Sequence, residues 1–203
     1  MFDRRIRGSW IALGLAVVVT AGCVGPRASP TDFSAGVAQE QSTVSNWAFG
    51  GASVSIRPDM IVSDEPDRRY PPSDQLVWYG DPPGDRKAQV IALVQDAVTA
   101  GAVDALSGGE TVTLRINVTQ FHAMTPRARR SILPLGVHEV EFDLEVVDAA
   151  GAVIASESGV RADLEAFSGD EAAVADRVGQ GQKIRIQSRI AQVVRSWLTD
   201  YRA

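Results

Sequence analysis

Cysteine is almost missing from this sequence of 203 residues: there is one, Cys23. A single thiol can build neither a disulfide framework nor a thiolate metal site. Histidine is nearly as scarce, with only His122 and His138. There is no Gly-x-Ser-x-Gly elbow, no His-Glu-x-x-His helix signature and no glycine pattern of the phosphate-cradling kind, so common signatures of hydrolases, zinc proteases and nucleotide binders are missing. An excess of positive charge is also lacking. The chain carries 20 Lys and Arg against 25 Asp and Glu, a net charge of −5, which argues against nucleic acid as a partner because a phosphate backbone needs a basic footprint. The apolar run Trp10 to Thr20 is too short for a hydrocarbon core, which takes ~20 residues.

That short run is flanked in a telling way. Arg4, Arg5 and Arg7 precede it, and Thr20-Ala21-Gly22 leads into Cys23, with Gly25-Pro26 just beyond. A basic start, an apolar stretch of about 7–15 residues and small residues at its end are the parts of a secretory signal. The placement of Cys23 resembles a bacterial lipobox, although Thr20 stands where Leu is usual. That resemblance implies a diacylglyceryl thioether on Cys23 and fatty acylation, palmitate included, of the new amino terminus. One acyl chain binds a membrane only marginally, whereas several anchor stably at roughly 0.8 kcal/mol per buried CH₂. Residues 1–22 are therefore expected to be a lipoprotein signal peptide. Val24 occupies the position where Asp would, by analogy with enterobacterial sorting, signal retention at the inner membrane, so the expected location is the outer membrane, facing the periplasm. Removal of residues 1–22 leaves 17 basic and 24 acidic residues, a net charge of about −7.

Residues 23–46 are rich in Ser, Thr, Ala, Gly and Gln without sustained period. They read as a lipidated terminus and flexible tether with an r.m.s. reach of about 25 Å. Residues 47–203 are expected to form a single α+β domain. Ala52 to Arg57 alternates apolar with polar as a half-buried strand does, and Pro58 ends it. The connector Gly80-Asp81-Pro82-Pro83-Gly84-Asp85 continues neither strand nor helix. Asp85 then caps a helix whose stripe runs Val90, Ile91, Val94, Ala97, Val98, Gly101, Ala105. Thr111 to Phe121, His138 to Val146 and Val153 to Leu164 alternate as strands, the last two joined by the turn Asp148 to Gly151. Ser168 and Glu171 have capping-box spacing ahead of a second helix, which a break at Gly179-Gln180-Gly181 interrupts. The expected fold is an antiparallel sheet of four to five strands with two helices packed on one face.

Four segments together resemble a known family: Leu76 to Arg86 with Ala88-Gln89-Val90; Phe121 to Thr125 with Ala128-Arg129; Gly136-Val137-His138; and Gly181 to Ile186. The family is one of uncharacterised candidate lipoproteins of alphaproteobacteria. The resemblance implies the anchor and a single domain over roughly residues 45 to 200, and it assigns no catalytic residue.

Few side chains invite a functional test. His122 and His138 fall on the apolar face by strand parity, and a symmetric hairpin centred near Arg130 would set them opposite each other. A shared metal or proton would follow, or hydrolysis or small-ligand binding through the pair. Two nitrogens make an incomplete metal site, however, and two structural histidines are the simpler reading. Arg127, Arg129 and Arg130 cluster in the intervening loop, suited to lipid phosphate or an acidic partner, or simply to solvent and the acidic row Glu139, Glu141, Asp143 and Glu145. Trp78 and Tyr79, beside the rigid connector, are the best aromatic candidates for an exposed recognition edge, with burial in the core the alternative. No cofactor is implied. The sequence favours a non-enzymatic, membrane-anchored envelope protein with a protein partner.

Overall fold

The computed structural model describes residues 46–63, 65, 71–72, 74–132 and 136–201. The proposed signal peptide, Cys23 and the tether up to residue 45 lie outside the described residues. Among the described residues no helix is long and apolar enough to cross a membrane.

The chain forms β1 (Trp47–Ile56), β2 (Ile61–Val62), β3 (Gln75–Val77), α1 (Arg86–Ala105), β4 (Glu110–His122), α2 (Pro126–Arg129), β5 (Val137–Val147), β6 (Val153–Arg161), β7 (Leu164–Glu165), α3 (Gly169–Arg177) and α4 (Gln182–Asp200). The α+β class expected from the sequence is present, but the sheet is mixed, and the described residues form seven strands and four helices where the sequence predicts four to five antiparallel strands and two helices. β4 is its axis. One side of β4 pairs antiparallel with β5, which pairs antiparallel with β6 and, at its amino end, with β7. The other side pairs parallel with β1 from Trp47↔Glu110 to Ile56↔Val118, then with β3 at Leu76↔Phe121 and Val77↔His122. β2 lies parallel outside β3. The parallel pairing corrects the all-antiparallel expectation; where β1 and β3 meet β4 its cause is α1, since a strand that returns to the sheet through a helix comes back in the same direction.

β1 also begins five residues before the alternation becomes visible at Ala52. Its register slips between Phe49 and Gly51, where Gly51 adopts φ 151°, so the polar/apolar period is broken just where the strand starts.

Asp85 caps α1 as expected, its carboxylate accepting from the Ala88 backbone N–H at 3.0 Å. The helix buries Val90, Leu93, Val94, Ala97, Val98, Gly101, Ala102 and Ala105. α4 buries Ile186, Ile190, Val194 and Leu198. Both stripes join one core with Val112, Leu114, Ile116, Val118 and Phe121 of β4 and Val140, Phe142, Leu144 and Val146 of β5. Each such side chain contributes roughly 1.5–3 kcal/mol by leaving water. The helices approach so closely at Gly101 that a Cβ there would stand 2.5 Å from the Ala191 carbonyl oxygen of α4.

The opposite sheet face is polar. Arg115 pairs with Glu145 at 2.8 Å, Asn117 donates to Asp143, Thr119 donates to Glu141, and Arg161 pairs with Asp163 at 2.7 Å. The acidic row is therefore partnered across strands. The second predicted helix is two helices. Gly179, at φ 72°, turns the chain after α3, and Gly181 is the N-cap of α4. Ser168 is the N-cap of α3, but its side chain makes no capping hydrogen bond, so the expected capping box does not form.

Candidate functional site

A bulge decides where the two histidines go. From Thr113↔Val147 to Val118↔Phe142 the β4–β5 register is the symmetric one centred near Arg130, but it shifts between Val118 and Gln120 at the point where β4 exchanges β1 for β3. The extra residue turns Phe121 into the core and His122 outward. His122 consequently lies opposite Glu139, while His138 pairs with Leu164 of β7. The two imidazoles occupy opposite faces of the sheet and do not share a site, which corrects the expectation of a facing pair.

His122 is buried among polar groups. Its Nε2 is 2.8 Å from the Gln75 carbonyl oxygen, and its Nδ1 is 3.0 Å from Glu139 Oε2 and 3.4 Å from Gln120 Nε2. Since a carbonyl only accepts, Nε2 carries a proton. The ring thus ties the short strand β3 to the β4–β5 ladder.

His138 is different. It is 1% exposed, and its Nδ1 accepts the Met124 backbone N–H at 3.3 Å, which leaves the proton on Nε2. Burial lowers its pKa to about 4, helped by the nearby positive charges of Arg185 and Arg129, so the ring is neutral at physiological pH. It lines a recess of about 10 Å³ with Arg129 from α2, Phe167, Ala172 and Ala175 from α3, and Gln182 and Arg185 from α4. Arg129 pairs with Asp176 at 2.7 Å. Arg185 lies over the Phe167 ring, 3.3 Å from its centroid, and donates to the Glu165 carbonyl oxygen at 2.7 Å. Burial lowers the Arg185 pKa, against the opposing pull of Glu171 and Glu165.

Of the loop arginines, only Arg129 reaches this recess; Arg127 and Arg130 are exposed. Trp78 is 1% exposed and packs edge-on against Phe121 at 5.8 Å, so it belongs to the core and not to an exposed recognition edge. Its indole N–H donates to Asp81 at 2.9 Å. Tyr79 is half-buried, its hydroxyl donating to the Ser63 carbonyl oxygen and its ring facing the Arg86 guanidinium. Asp81 also receives Lys183 at 2.7 Å. Burial on its own would raise the Asp81 pKa, but the hydrogen bonds from Lys183 and Trp78, with the charges of Lys183 and Arg86, bring it below the usual value.

Gln182 and Arg185 did not stand out in the sequence as site residues. Their only signal was membership of the segment Gly181 to Ile186. That segment now joins the other three quoted with it, through Lys183 to Asp81 and through Gln182 and Arg185 to the recess of Arg129 and His138.

The fold and this site define an α+β domain in which a mixed sheet carries a helix pair on one face and a charged lattice on the other. Over residues 47–203 the chain belongs to a family of unknown function, DUF6778. No curated protein matches it. Similar solved structures include a candidate lipoprotein from Caulobacter crescentus CB15, 18% identical, covering 55% of this chain and 81% of that one at a TM-score of 0.34. A PelC dodecamer from Paraburkholderia phytofirmans is 13% identical over 74% of this chain and 86% of that one, at 0.34. A protein from Xanthomonas campestris is 14% identical over 76% and 79%, at 0.38. Likenesses at these scores carry no functional argument.

Proposed function

We propose that this protein is a lipoprotein held at the periplasmic face of the outer membrane through acylated Cys23, and that its domain binds another envelope component without catalysing a reaction. The observation that carries the reading is the stretch Met1 to Cys23, where a basic start, a short apolar run and small residues end at the sole cysteine. A tether reaching about 25 Å would keep the domain, and whatever it contacts, within a few nanometres of the bilayer.

Growth with a clickable fatty-acid analogue tests the anchor. The wild-type protein takes up label and fractionates with outer membranes, while Cys23→Ser takes up none and retains its signal. A soluble, processed Cys23→Ser protein would instead identify an ordinary secretory signal. For the binding role, crosslinking in intact cells followed by purification should return a reproducible envelope partner that a tethered unrelated domain does not. Full replacement of the domain without loss of phenotype would reduce its role to that of a spacer.

A further inference from the structure

The recess beside His138 holds an arginine with no carboxylate in contact and a buried amide oxygen with no donor among the described residues. Arg185 has a backbone carbonyl and an aromatic ring for neighbours, and no carboxylate within ion-pair distance among the described residues. Gln182 is 7% exposed, yet its Oε1 has no hydrogen-bond partner there. A buried amide atom without a partner costs about 1–3 kcal/mol. That oxygen is an acceptor and would repel an anion; a half-turn of the terminal amide turns the Gln182 NH₂ to the recess instead, and it is this orientation that serves an oxyanion. Gln182 also opens α4, a helix of 19 residues whose N-cap, Gly181, supplies no side-chain acceptor, so the free N–H groups of the first turn add positive potential at the same place. Glu165 and Glu171 act on Arg185 from beyond ion-pair distance and offset part of its charge, and Asp176, bound to Arg129, holds its carboxylate beside Gly181 at the start of α4; the charges that act on His138 itself are those of Arg185 and Arg129.

We propose that this recess binds the oxyanion end of a ligand, a carboxylate or phosphate group, with Arg185 supplying the charge and His138 Nε2–H and the Gln182 amide the directed hydrogen bonds. A guanidinium held flat on a ring is preorganised for an oxyanion. The volume of about 10 Å³ suits a single oxygen-sized group, so one oxygen of the ligand enters while the rest of the molecule stays at the mouth. This site is independent of the anchor. It would stand even if Cys23 were never acylated.

The test is a titration of the full-length protein in detergent micelles, labelled with ¹⁵N-histidine, using sodium phosphate and sodium acetate against sodium chloride at matched ionic strength. The His138 ring signals should move saturably with phosphate or acetate while those of His122, on the other sheet face, stay in place. A stronger response to phosphate marks a phosphate-ended ligand, and a stronger response to acetate a carboxylate-ended one. Arg185→Gln should weaken the apparent affinity by about tenfold or more, the value of one charge-assisted hydrogen bond. Gln182→Leu serves the same purpose if Arg185→Gln does not fold. Three results would overturn the proposal: His138 signals that ignore both anions, a response equalled by chloride, or a folded variant that titrates like the wild type. In the first case a water alone fills the recess.

Discussion

Lys183, in the first turn of α4, places its ammonium 2.7 Å from the carboxylate of Asp81, 102 residues earlier in the chain. The same carboxylate accepts the indole N–H of buried Trp78. Asp81 therefore fastens the rigid connector before α1 to the start of α4, and its two partners lose different things when it is changed. Asp81→Ala leaves the Trp78 N–H buried and unpaired, a loss of about 1–3 kcal/mol. Asp81→Asn keeps an acceptor for the indole and forfeits only an ion pair in which Lys183 is 41% exposed, worth less than about 1 kcal/mol. Urea denaturation should rank the proteins wild type, Asp81→Asn, Asp81→Ala in falling stability. Equal losses from the two substitutions would show that the indole bond contributes nothing.

Gly101 sets the distance between α1 and α4. In an isolated helix Gly→Ala gains about 1 kcal/mol. Here the added Cβ would meet the Ala191 backbone at 2.5 Å from its carbonyl oxygen and 3.1 Å from its Cα, and a helix backbone cannot step aside alone. Gly101→Ala is expected to lower stability by about 1–3 kcal/mol net, as overpacking does, and to lower the melting temperature by several degrees for a domain of this size. A rise in melting temperature would mean that the helices separate at no cost.

One carboxylate braces the β5–β6 turn beside its two backbone hydrogen bonds, Asp148 N–H to the Ala152 carbonyl and Gly151 N–H to the Asp148 carbonyl. Asp148 Oδ1 accepts the N–H groups of Ala150 at 2.9 Å and Ala152 at 2.8 Å, and Gly151 takes φ 86°. Asp148→Ala should cost about 1–2 kcal/mol by freeing both donors, whereas Asp148→Asn, which retains the oxygen, should cost little. Hydrogen exchange of the Ala152 amide is the local readout. Protection unchanged in Asp148→Ala would exclude this role.

The elements legible in the sequence were those whose side chains repeat without interruption. Val112 to Val118 and Val140 to Val146 announced β4 and β5, the stripe of α1 announced its burial, and Asp85 announced its cap. What stayed hidden depends on partners remote in sequence. Period tells which face a strand buries but not whom it pairs with, so β1 gave no sign of running parallel to β4, and the two- and three-residue strands β2 and β3 are too short to carry a period. The bulge after Val118 has no glycine or proline to mark it, and it moved His122 across the sheet and removed the facing histidine pair. The recess was invisible for a related reason. It is lined by Arg129 and Arg185, 56 positions apart, and only the break at Gly179 brings α4 back over His138.

The burial of His138 gives the stability a pH dependence of its own. In the folded chain the imidazole protonates at about 4, against 6.5 when unfolded. Well above pH 6.5 the ring is neutral in both states and adds no slope. Between 6.5 and 4 the unfolded chain binds a proton that the folded one refuses, so stability falls as the pH is lowered through this window and the histidine contributes no further loss below it. The difference is about 3 kcal/mol at most. Other groups titrate in the same range, so the informative quantity is a comparison with His138→Asn, which can still accept the Met124 N–H but has no basic ring. In chloride buffer the variant should be less stable at pH 7, because it fills the site less well, and its deficit should shrink by about 3 kcal/mol as the pH is taken to 4. A deficit that is the same at both pH values would mean that His138 titrates alike in the folded and unfolded chains, and that burial beside Arg185 and Arg129 does not hold it neutral.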